Sequence, residues 1–378
     1  MTLPFAHSAR SSVGVEWELM LADPATGELV GAAPAVLDTV RSVPGPRRFT
    51  VTGELLTNTV EVTSGVGGTV AEAMTDIQDA VALVRAHTES HGVALLSAGS
   101  HPFAQWYDQQ VTDKTRYHTL IERTQWWGRN MMIWGVHVHV GVEDVRKVMP
   151  LVAALTTYLP HLLALSASSP YWAGERTGYA SNRSLVFQQL PTAGLPWSAV
   201  TTWAEFETYL GDMRHAGIMA DATEVRWDIR PAPRWGTIEV RVCDGMSTAA
   251  ELSAVAALTQ CLVEWLSREL DAGRELTVLP GWFVRENKWR AARYGLDAEV
   301  IVTPDGAQRA VSDDLLEGIQ TLTPIARDLG CATELALVPQ IIERGVSATR
   351  QIEVADAAGG DLRAVVRHLI EEFERGIL

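Results

Sequence analysis

The chain has 378 residues, 47% of them hydrophobic, enough to bury a core in one large α/β domain or in two ordinary ones. Its formal net charge of −15 at pH 7 argues against a nucleic-acid partner, because neutralising phosphates requires a basic surface. Cys243, Cys261 and Cys331 are widely spaced with no Cys-x-x-Cys pair, which suits a reducing, cytoplasmic location and offers no zinc motif.

Residues 1–12 carry no basic segment followed by an apolar one, so nothing reads as a signal peptide. The first strand is Val13-Gly14-Val15-Glu16-Trp17-Glu18-Leu19, where apolar side chains point one way and Glu16 and Glu18 the other. Asp23 to Gly27 reads as a turn, and a second strand region spans 53–64, with Glu61 between Val60 and Val62. Thr69 and Glu72 form a Thr-x-x-Glu capping box that opens a helix ending near Gly92. A short strand over 93–97 leads to Ser100-His101-Pro102, and a helix falls within 115–130. The next strand places His137 and His139 among Val136, Val138 and Val140.

A helical region follows over 142–166, in which Pro150 and Pro160 predict kinks or breaks. The apolar stretch 148–168, the only long one recognised, reads as a buried helix and not a membrane span. Residues 170–197, dense in Gly, Ser, Asn, Pro and Thr, read as a long ordered loop of the functional kind. A helix is expected over 203–217. Strand then returns over 225–243, broken by a turn at Pro231-Ala232-Pro233 and placing Glu239 and Arg241 among Ile238, Val240 and Val242. Thr248 and Glu251 form a second capping box, opening a helix to about Leu270; beyond Trp282 the chain reads as helical, with a short hairpin at 303–306. No repeat or linker divides the chain, so residues 1–378 are expected to form one α+β domain. Its mainly antiparallel, curved sheet would pack helices on one face and form an active-site bowl on the other.

One glutamate pair is also what the solvent face of an edge strand would show, and one His-x-His pair is a common coincidence. The informative feature is recurrence. Four strands present acid or imidazole on alternate positions, and clustered carboxylates are tolerable mainly when divalent cations neutralise them. A metal-dependent enzyme is the leading inference. Glu54 is weaker, since its separation from Glu61 puts the two on opposite faces of a regular strand. Trp126, Trp127 and Trp134 read as core or wall residues. The chain contains no GxxxxGK[ST] and no GxGxxG, so a nucleotide triphosphate would have to be held through bridging Mg²⁺.

The segments Gly14-Val15-Glu16-Trp17-Glu18-Leu19, Gly53-Glu54-Leu55 through Val60-Glu61-Val62, Gly135 through Gly141, Pro191-Thr192-Ala193-Gly194, Trp227-Asp228-Ile229-Arg230-Pro231 with Thr237 through Arg241, and Glu286-Asn287-Lys288-Trp289-Arg290 through Gly295 resemble the carboxylate-amine ligases of the glutamate-cysteine ligase type 2 family, the YbdK-like group. The likeness covers about 11–374. It implies a glutamine-synthetase-like fold and ATP-dependent joining of an amino-acid carboxylate, by resemblance that of glutamate, to an amine, by resemblance that of cysteine, through an acyl phosphate. Carried onto this chain it implies that Glu16, Glu54 and Glu61 bind one Mg²⁺, that Glu18, His137 and Glu239 bind a second, and that Glu16 with Glu239 reaches a third. Arg241 would contact the transferring phosphoryl group. With Glu54 in this set, its strand should be interrupted near 57–59. Arg183 and Arg230 are candidates for the substrate carboxylate or phosphate, because guanidinium makes bidentate contacts.

Two other readings stay open: a metal-dependent hydrolase using His137 and His139 with acidic ligands, and a relative that binds but does not turn over. The expected partners are small-molecule substrates, with no nucleic acid and no membrane. The true donor and acceptor, a homodimer, regulation, and the roles of His139, His101 and the 170–197 loop are left open by the sequence.

Overall fold

The computed structural model describes residues 3–376. Its main sheet has seven strands, all paired antiparallel: β1 (Val13–Ala22), β2 (Thr50–Gly53), β3 (Thr59–Thr63), β4 (Ala94–Leu96), β5 (Val136–Gly141), β6 (Ile229–Ala232) and β7 (Thr237–Val240). The order is β6-β7-β5-β1-β3-β2, with β4 pairing the end of β1. Alternation works as the sequence implies: Val13, Val15, Trp17 and Leu19 are fully buried, while Glu16 and Glu18 face the other side.

The buried face packs on helices α1 (Val70–Thr88), α2 (Val145–Ser166) and α4 (Ala249–Asp271), with α5 (Val311–Leu329) behind them. A short helix, α3 (Asn182–Phe187), lies on the bowl side. The Thr69 and Thr248 hydroxyls accept from the backbone N–H of Glu72 and Glu251 as expected, but neither box closes. The Glu72 carboxylate takes the Gly68 N–H, and Glu251 takes Arg350. Among the described residues the complete box is at Thr202 and Glu205, which the sequence reading passed over.

Several expectations need correction. The second strand region is a hairpin, β2 and β3, and its interruption covers 54–58 rather than 57–59, so that Thr59 already pairs with Met20. Pro150 and Pro160 do not break α2, which runs uninterrupted for 22 residues. Each proline costs about 3 kcal/mol in a helix interior, whereas burying one leucine contributes about 1.5–3 kcal/mol. Leu151, Leu155, Leu159, Leu162 and Leu163, all fully buried, outweigh both prolines.

Ala249–Asp271 is a second helix long and apolar enough to cross a membrane; within the most apolar windows of α2 and α4, 83% and 89% of residues are buried inside the protein. Residues 170–197 are not one loop but a small hairpin, Tyr171–Trp172 with Glu175–Arg176, then α3 and the strand Ala193–Gly194. Pro231 sits inside β6, paired with Ile238, because an edge strand leaves one side free of the ladder and so tolerates a missing N–H. The turn follows it, closing on Gly236 at φ 67. Trp134 is buried, but Trp126 and Trp127 are 49% and 42% exposed and pack edge-on against each other instead of lining the core.

The C-terminal helix Leu362–Arg375 is tied to the body through Glu372, which accepts from Arg350 at 2.8 and 2.9 Å. Burial opposes ionisation, yet His368, with Nε2 3.5 Å away, and the hydrogen bonds from Arg350 prevail and bring Glu372 down to about 2. Because the folded value lies below the unfolded one, this stabilisation is complete above about pH 4.5 and is lost as pH falls toward 2. Glu372→Gln should therefore cost roughly 3 kcal/mol at pH 7, with the gap narrowing under acid. Urea midpoints measured across pH check it; a gap that does not vary with pH would assign the effect to packing.

Candidate active site

Strand register assembles the site. Across β1 and β5, Glu16 lies opposite His137; across β1 and β3, Glu18 lies opposite Glu61. His139 on β5 faces Glu239 on β7, and Glu239 in turn faces Arg230 on β6. Directly opposed residues share one face, and positions two apart on a strand do too, so three neighbouring cross-strand rows place all these groups on one face of the sheet. Glu16 holds the centre. One of its oxygens lies 2.7 Å from His137 Nδ1, and the other lies 3.2 Å from His139 Nε2. His139 Nε2 is also 3.8 Å from Glu239.

Two groups of donor atoms each fall within 4.8 Å of one another: Glu16, Glu61 and His137, and Glu16, His139 and Glu239. This partition differs from the sets implied by resemblance. Glu18 and Glu54 line the same cavity but stand outside both groups. Glu18 accepts the Gly135 N–H at 2.5 Å, and Glu54 accepts from Tyr117 at 3.3 Å with Arg116 alongside. Glu54 reaches the bowl because β2 ends at Gly53, which frees it from strand alternation. His139, which the sequence reading used only in the hydrolase alternative and otherwise left open, joins the second group; its place on the same strand face as His137 was the available signal.

The acids are in excess over local cations. Burial pushes Glu18 up to about 7 and raises Glu54. It drives Glu61 well above the carboxylate range, reinforced by repulsion from Glu16, Glu54 and Glu18. Glu16 and Glu239 are the exceptions. Burial opposes the charge on both, but hydrogen bonds from His137 and His139 hold Glu16 ionised, and the charges of Arg241 and Arg230 hold Glu239 ionised. Burial lowers His137 to about 4, so the neutral ring donates Nδ1–H to Glu16 and leaves Nε2 as a lone pair.

Arginines line the rest of a cavity of about 900 Å³. Arg230 Nε donates to Glu239 at 2.7 Å and its Nη1 to the Thr223 and Val225 carbonyls, while Arg241 also pairs with Glu239. Arg183, on α3, donates to the Arg241 carbonyl at 3.1 Å, and a side chain on Gly135 would collide with its guanidinium. The Nε atoms of Arg183 and Arg241 are buried and find no partner among the described residues. Arg226 also lines the cavity, unanticipated from the sequence. So was Asp244, which accepts from Ser168 N at 3.0 Å and from the Ser169 and Ser181 hydroxyls at 2.7 Å, anchoring α3 from beneath. Such an arrangement can hold hard cations on the acid cluster and an anionic group against the arginines.

Comparison with known proteins agrees. A model of glutamate-cysteine ligase family 2 matches residues 12–368. The chain is 56% identical to "putative glutamate–cysteine ligase 2" of Leifsonia xyli subsp. xyli over 99% of both chains. It is 54% identical to "putative glutamate–cysteine ligase 2-2" of Rhodococcus jostii, over 99% of this chain and all of that one. In fold it resembles the glutamate–cysteine ligase of Francisella tularensis, solved in complex with AMP, with a TM-score of 0.67 at 13% identity over 98% of this chain and 90% of that one. The fold is thus α+β and glutamine-synthetase-like, with an antiparallel sheet backed by helices. The chain belongs to glutamate-cysteine ligase family 2 and is a ligase that joins a carboxylate to an amine through a carbon–nitrogen bond.

Proposed function

We propose that the protein uses ATP to activate the side-chain carboxylate of glutamate and joins it to the amino group of cysteine. The observation that carries this reading is the cluster of buried carboxylates on one sheet face, lining a single cavity together with buried guanidinium groups. The donor set suits Mg²⁺, since carboxylate oxygens dominate it and, among the described residues, Glu61 has only the Thr52 hydroxyl, at 3.3 Å, as a hydrogen-bond partner. Glu16, Glu61 and His137 would hold one ion, and Glu16, His139 and Glu239 another, with Glu18 and Glu54 lining the same cavity. When bound, Mg²⁺ supplies charge neutralisation for the triphosphate.

A carboxylate is a poor electrophile. Its oxygen attacks the γ-phosphorus, ADP departs with the bonding pair, and the acyl phosphate is then attacked by the amine as phosphate leaves. Negative oxygens crowd together in both steps. Arg241 and Arg183, with bare Nε–H groups, stabilise that charge, and Arg230 orients Glu239 and a substrate carboxylate. No enzyme nucleophile is needed. We further propose that residues 1–378 act as one ligase domain, supported by the core cluster that runs from Val13 to Phe373. A cytoplasmic location suits three free, buried cysteines.

The test supplies Mg-ATP, glutamate and an array of amines and amino acids, and follows ADP release and product mass. The reading expects ADP and γ-glutamylcysteine in equal amounts. A different acceptor would correct the substrate, and phosphate release without any joined product would favour a hydrolase.

A further inference from the structure

A separate cavity, of about 320 Å³, lies behind the sheet between α2, α4, α5 and the hairpin Glu299–Ile301 with Gln308–Ala310. It shares no lining residue with the bowl. Its walls are Leu258, Leu262 and Leu322, with Tyr158 and Trp265 set edge to face at 5.8 Å.

Three features distinguish it from a packing defect. First, His161 is 5% exposed and its Nε2 lies 2.8 Å from Asp314, while its Nδ1 is buried and finds no hydrogen-bond partner among the described residues. A carboxylate accepts, so Nε2 donates to Asp314 and Nδ1 is the nitrogen left over, and leaving a buried polar atom unsatisfied is costly. Second, Gly318 sits within α5, where glycine disfavours helix, and a Cβ there would meet nothing within 4 Å; the space above it is open. Third, the rim is acidic: Asp314 and Glu317 share the one guanidinium of Arg309. A volume near 300 Å³ is at the small end for ligand pockets.

We propose that this cavity is a second ligand site, taking a small, flat aromatic molecule that bears an N–H or O–H donor and no negative charge. The ring lies between Tyr158 and the leucines, its donor satisfies His161 Nδ1, and the acidic rim rejects carboxylates.

The probe is benzimidazole, compared with 1-methylbenzimidazole, which lacks the donor, and with benzoate, which is anionic, by saturation-transfer NMR on the full chain without ATP. Benzimidazole should bind saturably, 1-methylbenzimidazole roughly tenfold more weakly, and benzoate not at all. Gly318→Leu, which improves the helix while filling the space, should abolish binding with the circular dichroism unchanged. His161→Phe should weaken benzimidazole roughly tenfold and leave 1-methylbenzimidazole unaffected. Equal binding of both benzimidazoles, binding indifferent to Gly318→Leu, or no saturable binding at millimolar concentration would overturn the proposal.

Discussion

Glu16→Gln is expected to lower turnover at least about 10³-fold while the protein still folds and melts within a few degrees of the parent. Glu16 is common to both donor groups, and it is the acid that two imidazoles hold ionised. Glutamine retains the size and one oxygen but removes the charge, so both clusters weaken at once. Steady-state ADP release at saturating Mg-ATP, with thermal melting as control, measures the effect. A normal kcat would remove the acid cluster from the chemistry. Glu239→Gln should be equally inactive but noticeably less stable. Glu239 is 1% exposed and paired with both Arg230 and Arg241, so neutralising it leaves buried cations short of their partner.

Asp244→Ala is expected to give the largest loss of stability, about 3–5 kcal/mol, together with a fall in activity of one to two orders of magnitude. The carboxylate is fully buried and accepts from the Ser168 N–H and from two serine hydroxyls, all of which would lose their acceptor. Ser181 is also the N-cap of α3, whose second residue is Arg183. Loosening that cap moves a guanidinium that lines the bowl. Asp244→Asn retains one acceptor oxygen and should recover part of the stability. Urea denaturation paired with kcat and KM for each variant tests the link. Full activity in a destabilised Asp244→Ala protein would separate the serine cluster from the site.

How far the site could be read in advance depended on the range of the interaction. That Glu16 and Glu18 share a face, and likewise His137 and His139, follows from the two-residue period of a strand, a local property of the backbone. Which groups then meet is a matter of register. Glu16 finds His137 and His139, and Glu18 is drawn to the Gly135 N–H, because antiparallel pairing aligns those positions. Spacing alone placed Glu54 on the wrong face, since the hairpin that releases it depends on pairing between β2 and β3.

The helices divide in the same way. Thr69, Thr202 and Thr248 mark helix starts locally, yet the partner of each nearby glutamate was settled by what lay beside it: Gly68 for Glu72, Arg350 for Glu251, and the cap itself for Glu205. Pro150 and Pro160 carry a local signal to break a helix, and burial from distant segments overrode it. Asp244 left no trace in any motif because its donors come from Ser168, Ser169 and Ser181, more than sixty residues away.

From sequence alone came the acid-bearing face of the main strands, the family and the candidate site residues. Tertiary structure alone decided the grouping of the acid and imidazole donor atoms, the inclusion of His139, the anchoring of Arg183 and the existence of a separate cavity behind the sheet. Periodicity is imposed by bonds between neighbours and is written residue by residue. Register and burial are settled only when segments far apart in the chain compete for the same surface.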